Sequence, residues 1–349
     1  MMRWPGVIGV LMVVLTASWA AAQADRVPTP QGPGKTALGI EGTRFTINGE
    51  PVFLLGFSYY GGLGASEEFL RRDLDDFQRR GFNWLRLWAT WNAYGQDVSA
   101  VDPTGAVRAP YMARLKGLLA ECDRRGMIVD VTLNRQKATT RGGGLADFEA
   151  HRRAVEALVE TFKPYRNWYL DLANERDVGD ARFVDCEQLQ RLRELVRRLD
   201  PQRLVTASFG GHDLSEGDLR DVLTTVGVDF VCPHRPRHPG SPGQTEARTR
   251  EALAMMKKLG KSVPVHHQEP FRRGYGGWSP QAADFLTDLR GAIAGGAAGW
   301  CFHNGGQRTA ADERPRRSFD MGQQRLFEQL DDQEIRFVDA AAAQVKPSK

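Results

Sequence analysis

The chain of 349 residues has only four cysteines, a net charge of +4 and, beyond its first two dozen residues, no long apolar run. Each scarcity removes a class of protein. A charge this small does not mark a nucleic-acid surface. Without a second apolar run there is no membrane span past the N-terminus, so the mature chain is expected to be soluble, with no membrane partner. No glycine-rich phosphate fingerprint follows the first strand-like segment, which argues against a dinucleotide-binding sheet. No His-x-His pair marks that segment either, and the seven histidines lack ligand spacing, so neither a metal nor an organic cofactor is expected. What remains is an ordinary globular balance, 26% charged and 41% hydrophobic.

The first residues stand apart. MMRWPG carries one positive charge at Arg3, VIGVLMVVL is a short apolar run, and ASWAAAQA offers small residues for cleavage after Ala22 or Ala24. This is the pattern of a secretory signal peptide over 1–24, with an uncleaved N-terminal anchor as the alternative. No cysteine follows the cleavage site, which weighs against a lipid anchor. Residues 25–39, DRVPTPQGPGKTALG, read as a Pro/Gly-rich linker, 40–340 as one domain and 341–349 as a C-terminal tail. A secreted or periplasmic monomer is expected. Export permits disulfides. Cys122 and Cys186 fall on helices separated by another helix, however, and alternation along their strands turns Cys232 inward and Cys301 outward. Four free thiols are expected.

From Phe45 the chain alternates between two textures. Asn48-Gly49 between β-rich runs marks a hairpin. Then VFLLGF (52–57), FNWLRLW (82–88), MIVDVTL (127–133), NWYLDLA (167–173), LVTASF (204–209), VDFVC (228–232), VPVHHQ (263–268) and AAGWCFH (297–303) read as short buried strands. Helical segments separate them, the first capped by Ser66 and the last placed near 322–332. Short apolar strands alternating with helices indicate a parallel sheet covered on both faces. Eight units in a row predict an α/β fold, a single (β/α)8 TIM barrel with an N-terminal β-hairpin; an open doubly wound sheet is the alternative.

In such a barrel the active site lies at the C-terminal ends of the strands. The fourth strand ends on Asn174-Glu175 and the seventh on Glu269, so two carboxylates 94 positions apart converge on one mouth. Two facing carboxylates are what glycoside hydrolysis needs: one protonated to donate to the leaving oxygen, one ionised to attack the anomeric carbon. Taken singly, Glu175 also reads as a helix-capping acid and Glu269 as a solvated loop acid. Arg86, inside an apolar strand, must find a partner, so a structural ion pair is the plain alternative there.

FTINGEPVFLLGFSYY, FNWLRLW, GMIVDV, WYLDLANE and GWCFHN resemble the clan A (4/7 superfamily) glycoside hydrolases, most of all glycoside hydrolase family 5, the cellulase family, and its unclassified relatives. The likeness runs from about Phe45 to Asn304. It implies a retaining glycoside hydrolase working by double displacement on a poly- or oligosaccharide. By the same resemblance Glu175 is the general acid/base, Glu269 the nucleophile and Asn174 the residue holding the sugar 2-hydroxyl. Arg86 supports the nucleophile and Trp300 floors the donor-sugar site; plain core is the alternative for Trp300.

Two positions depart from that pattern. Asn134 stands where the family usually has a histidine. The family's His-x-Tyr survives as His234 with Pro236, which cannot donate the hydrogen bond to the nucleophile; Arg235 or Arg237 is expected to substitute. Loop positive charge is plentiful: His212, His234, His238, His266, His267 and His303, with Arg135, Lys137, Arg141, Arg235, Arg237, Arg272 and Arg273. It reads either as solvated loop charge or as a mouth suited to an anionic glycan. Tyr59, Tyr60, Trp88, Trp91, Tyr94, Tyr275 and Trp278 are assigned to the same face, Tyr59 and Trp278 as sugar platforms. Two other readings stay open: a non-catalytic glycan-binding barrel and a metal-dependent barrel hydrolase.

Overall fold

A computed structural model describes residues 1–2, 34–135, 144–275, 277–306 and 316–345. The signal-peptide segment, most of the linker, Lys137 and Arg141 lie outside the described residues. No described helix is long and apolar enough to cross a membrane.

We number the barrel strands β1 (Leu54–Ser58), β2 (Trp84–Trp88), β3 (Ile128–Thr132), β4 (Trp168–Asp171), β5 (Val205–Thr206, resumed at Ser208–Phe209), β6 (Cys232–Pro233), β7 (His266–His267) and β8 (Gly299–Phe302). Seven of them hydrogen-bond in the order β5-β4-β3-β2-β1-β8-β7. The second half of β5 pairs in parallel with β6, and a parallel bridge from Val231 to Val265 joins β6 to β7. The ring is therefore closed and all-parallel, the expected (β/α)8 barrel. Helices α1 (Glu67–Arg79), α2 (Ala109–Arg124), α3 (Phe148–Phe162), α4 (Cys186–Leu199), α5 (Glu216–Arg220), α6 (Thr245–Lys258), α7 (Ala282–Gly295) and α8 (Asp332–Val345) surround it. Their starts follow local chemistry: Ser66, Asp147, Asp185 and Ser215 each accept a backbone N–H of the first turn.

The chain is anchored before the expected domain start. Asp123 accepts the backbone N–H groups of Gly34, Lys35 and Thr36, and a three-stranded antiparallel ribbon follows: Leu38–Glu41, Arg44–Ile47 and Glu50–Val52. Asn48 and Gly49, both at positive φ, make the predicted tight turn. Phe45 on this ribbon is fully buried. It meets Phe230 edge-on at 5.0 Å and joins Leu54, Trp84, Ile128 and Tyr169 in the apolar floor of the barrel.

The last helix begins where the sequence pattern placed its end. Asp331 Oδ1 accepts from Gln333 N and Glu334 N and starts α8, which runs through Ala340–Ala343 to Val345. The expected tail from 341 is thus helical up to Val345.

Register on β8 also differs from expectation. Trp300 faces outward, packed on Phe337 at 5.3 Å with Nε1 donating to Asp288 of α7 at 2.6 Å. Cys301 faces the barrel interior beside Cys232. Strand alternation then sends His303, not Trp300, to the mouth. Both faces of a parallel strand are apolar, so hydrophobicity gave no register there. All four cysteines are free thiols. Trp300 is thereby part of the barrel–helix packing. Trp300→Phe is expected to lower stability by about 1–3 kcal/mol, through loss of the donor to buried Asp288, in urea unfolding. Sugar binding should be unchanged; weaker sugar binding at unchanged stability would return Trp300 to the mouth.

Candidate active site

Alternation along each strand sorts side chains between the interior and the helices. At the C-terminal end, Tyr60, Arg86, Thr132, Asp171, His234, Gln268 and His303 are buried, and their hydrogen bonds run across the barrel to one another or to Glu175, Asn174 and Glu269. Arg86 is central. It has no exposure, and its guanidinium donates to Glu269 Oε2 (2.5 Å), the Tyr60 hydroxyl (3.1 Å), Asp171 Oδ2 (3.0 Å) and Asn174 Oδ1 (2.8 Å). Its Nε reaches Thr132 Oγ1 at 3.3 Å and Asp130 Oδ2 at 3.4 Å. Burial opposes its charge, but Tyr60, Glu269, Asp130 and Asp171 hold it protonated.

Burial likewise pushes Asp130 up to about 7, partly offset by Arg86. Tyr169, Thr132 and Gln268 all donate to Asp130. This network beneath the site ties β2, β3, β4 and β7 together.

Glu269 is held from several sides. Oε2 accepts from Arg86 and from Tyr60 at 2.7 Å; Oε1 accepts from Arg237 at 2.9 Å. Burial alone would raise its pKa, yet the surrounding His303, His234, Arg237 and Arg86 hold it well below the ordinary carboxylate range. His303 itself is kept neutral by burial. Arg272 Nη1 donates to His303 Nε2 at 2.7 Å, which puts the ring proton on Nδ1, facing the Tyr60 hydroxyl at 3.4 Å. With His303 neutral, Arg86 and Arg237 supply the permanent positive charge beside Glu269.

Glu175 adopts φ +47°, a left-handed conformation uncommon for a non-glycine residue. Its backbone N–H donates to Ser208 Oγ at 3.1 Å, so β5 sets the turn that aims the side chain. Oε2 accepts from Arg182 at 2.7 Å, and Oε1 lies 3.4 Å from His234 Nδ1 and 3.6 Å from Arg237 Nη2. Burial raises its pKa and the His234 hydrogen bond lowers it; Glu269 then raises it and Arg237 lowers it, for a net depression. One donor atom each of Glu175, His234 and Glu269 lie within 4.8 Å of one another. That trio is where a cation would be held, but Arg86, Arg182 and Arg237 already match the two carboxylates, which makes it a poor cation site.

The expected residues divide into two groups. Glu175, Glu269, Asn174, Arg86, His234 and Arg237 meet at the mouth. Asn134 is buried beside them, engaged by the Thr90 hydroxyl. Arg235 turns away to Asp213, Ser241 O and Thr245. Arg273 is taken by Asp331 and Pro280 O, and Arg135 by His151 and Gln188. His267 faces α6, bonded to Thr249. Tyr59 is fully buried with its hydroxyl on Asp73 of α1, because neighbouring positions on one strand face opposite ways. Trp278 rests against Phe271 at 4.8 Å. Sequence reasoning put Tyr60, His303 and Arg272 on this face but not their contacts to Glu269 and to one another, and it missed Arg182. Tyr60 makes, from the tip of β1, the hydroxyl contact to Glu269 that Pro236 cannot make.

No protein-family model matches the sequence, and no curated protein sequence matches it. Solved structures do. A glycoside hydrolase family 5 mannosidase from Rhizomucor miehei, in complex with mannosyl-fructose, is 14% identical, with 89% of this chain and 97% of that chain covered at a TM-score of 0.64. An endo-1,4-beta-mannanase from the same organism is 15% identical, covering 76% and 89% at 0.60. A putative glycoside hydrolase from Bacteroides vulgatus is 14% identical, covering 88% and 60% at 0.65. The family that the strand-tip motifs resemble is thus one whose structures share this barrel.

Proposed function

We propose that this protein is an exported glycoside hydrolase that cleaves an O-glycosidic bond of a poly- or oligosaccharide with retention of configuration. One observation carries the reading: Glu175 from the tip of β4 and Glu269 from the tip of β7 face each other across the mouth, with donor oxygens within 4.8 Å. Oxygens this close favour the retaining arrangement, in which the carboxyl groups are about 5–5.5 Å apart, over the inverting one, in which they are about 6.5–9.5 Å apart. The fold shared with mannosidases and a mannanase supports it.

In this mechanism Glu269 Oε2 is immobilised by Arg86 and Tyr60, so Oε1 is the oxygen that attacks the anomeric carbon. Glu175 delivers a proton to the leaving oxygen, then takes one from the water that hydrolyses the glycosyl–enzyme ester. Asn174, oriented by Arg86, presents its amide nitrogen to the sugar. Arg237 stands between the two carboxylates and must withdraw as substrate enters. Burial and the Glu269 charge then both push Glu175 towards the protonated state.

Glu175 held ionised in the free protein is the observation that favours a second reading, a glycan-binding barrel without turnover. Activity separates the two. Glu175→Ala and Glu269→Ala should each lose most hydrolysis while still folding cooperatively, Glu269→Ala at a lower midpoint because buried Arg86 loses a partner. Azide should rescue Glu269→Ala with a glycosyl azide of inverted configuration. Near-wild-type turnover in either variant contradicts the assignment, and sugar binding by wild type with no turnover on any aryl glycoside or polysaccharide supports the second reading.

The pH dependence follows from the same charges. For free enzyme the active form has Glu269 ionised and Glu175 protonated, so kcat/KM falls as pH rises through the Glu175 pKa. Arg182 lies 2.7 Å from that carboxylate. Removing it as Arg182→Gln is expected to raise the Glu175 pKa and move the alkaline limb to higher pH, read from a kcat/KM profile. An unmoved or downward-shifted limb contradicts Glu175 as the acid.

A further inference from the structure

Among the described residues, Arg272 is a charged group at the mouth whose chemistry the proposed mechanism leaves unused. It follows Glu269 by three residues and is 3% exposed. Its Nη1 donates to a neutral ring, His303 Nε2. Among the described residues its buried Nε and Nη2 have no hydrogen-bond partner, and no carboxylate forms an ion pair with it. The guanidinium is also fixed in place, over the Tyr275 ring at 4.2 Å and the Phe319 ring at 5.2 Å. Arg237 lies over the same Tyr275 ring at 5.5 Å, so two guanidiniums share one corner beside the nucleophile. Burial first, and Arg237 second, lower the Arg272 pKa to about 10.

A buried guanidinium with two unmet donors lowers stability, and so does a like charge beside it. A planar fork held by aromatic rings is the arrangement that meets a carboxylate with two parallel hydrogen bonds. Its place beside Glu269 puts the carboxylate on the sugar that Glu269 attacks. Resting on the hydrolase reading, we propose that the substrate is an anionic glycan whose donor sugar is a hexuronate, its carboxylate bound by Arg272 and Arg237. Arg237 bonds Glu269 at 2.9 Å and approaches Glu175 at 3.6 Å in the free protein. Transfer of Arg237 from these carboxylates to the sugar carboxylate clears the space between them, so the charge that confers selectivity also opens the site. A neutral sugar offers no group to draw Arg237 away.

The test measures binding and turnover separately. Methyl glucuronide, galacturonide and mannuronide are titrated calorimetrically into wild type, Arg272→Gln and Arg272→Lys, against their neutral methyl glycosides, at low and high salt. Wild type should bind one hexuronide at least roughly tenfold tighter than its neutral counterpart, the gain expected of a charge-assisted pair. The gap should narrow with salt. Arg272→Gln should abolish it without weakening the neutral glycoside, Arg272→Lys should keep part of it, and both variants should melt no lower than wild type. Equal binding of charged and neutral sugars by wild type overturns the inference, as does preference for a sulfated sugar over every hexuronide, or equal loss of both ligands in Arg272→Gln. Parallel assays with aryl glycosides and aryl uronides keep the two readings apart. Hydrolysis of neutral glycosides without uronide preference sinks this inference and leaves the hydrolase standing. Arg272-dependent uronide binding without hydrolysis of any substrate does the reverse.

Discussion

A guanidinium with no solvent exposure sits on the barrel axis, and most of the mouth is arranged around it. Arg86 joins β2 to Glu269 after β7, to Asp171 and Asn174 on β4 and its tip, to Thr132 on β3 and to Tyr60 after β1. Desolvating such a charge is expensive, and its attraction to a single acid does not repay it; dense hydrogen bonding does. That demand fixes the side chains around it. Glu269 cannot rotate without leaving Arg86 and Tyr60, and Asn174 can offer only its amide nitrogen outward. Removing one partner from such a set leaves an uncompensated buried charge, at a cost of about 3–5 kcal/mol. The site is therefore rigid for the same reason the barrel centre is stable.

The second carboxylate is positioned differently. Glu175 leaves β4 in a left-handed conformation, which costs on the order of 1–3 kcal/mol for such a residue. Ser208 and Arg182 hold it there. One glutamate is locked by a buried network and the other is carried on a strained turn, a division suited to a fixed nucleophile and an acid whose proton affinity must change. Arginines at the rim add the third element. Arg237 lies between the two carboxylates and Arg182 pairs with Glu175, so the proposed mechanism requires substrate to rearrange charge rather than enter an open cleft.

Most of the architecture was legible because it rests on periodicity. Eight apolar runs separated by helices specify a barrel, and residues 174–175 and 269 fall at strand ends under any small shift of boundaries. Register was legible only where a polar residue broke the pattern. Arg86 in WLRLW faces inward, and Glu269 and His234 follow from their strand ends. Tyr59 and Tyr60, or Trp300 and Cys301, offer no such break, since both faces of these strands are buried. The choice between them depends on packing against α7, α8 and Asp73, which local sequence does not encode. The loop arginines were unreadable for a related reason. Arg235 and Arg237 differ by two positions, yet one meets Asp213 and the other Glu269, because the turn after β6 sends them to different neighbours. Pro236 signalled a missing hydroxyl, but its replacement came from Tyr60, 176 positions earlier in the chain.

The central claim is that Glu269 forms a covalent bond to the anomeric carbon. The most direct measurement incubates the protein with activated 2-deoxy-2-fluoroglycosyl fluorides, neutral and uronic, in which attack by a carboxylate oxygen expels fluoride and leaves a slowly hydrolysed ester. Peptide mass spectrometry then locates the added mass. The account predicts a single label on the peptide spanning Val263–Arg272, on Glu269, and none in the Glu269→Ala variant. A label on Glu175, or turnover of the unfluorinated sugar with no label on Glu269, would contradict it.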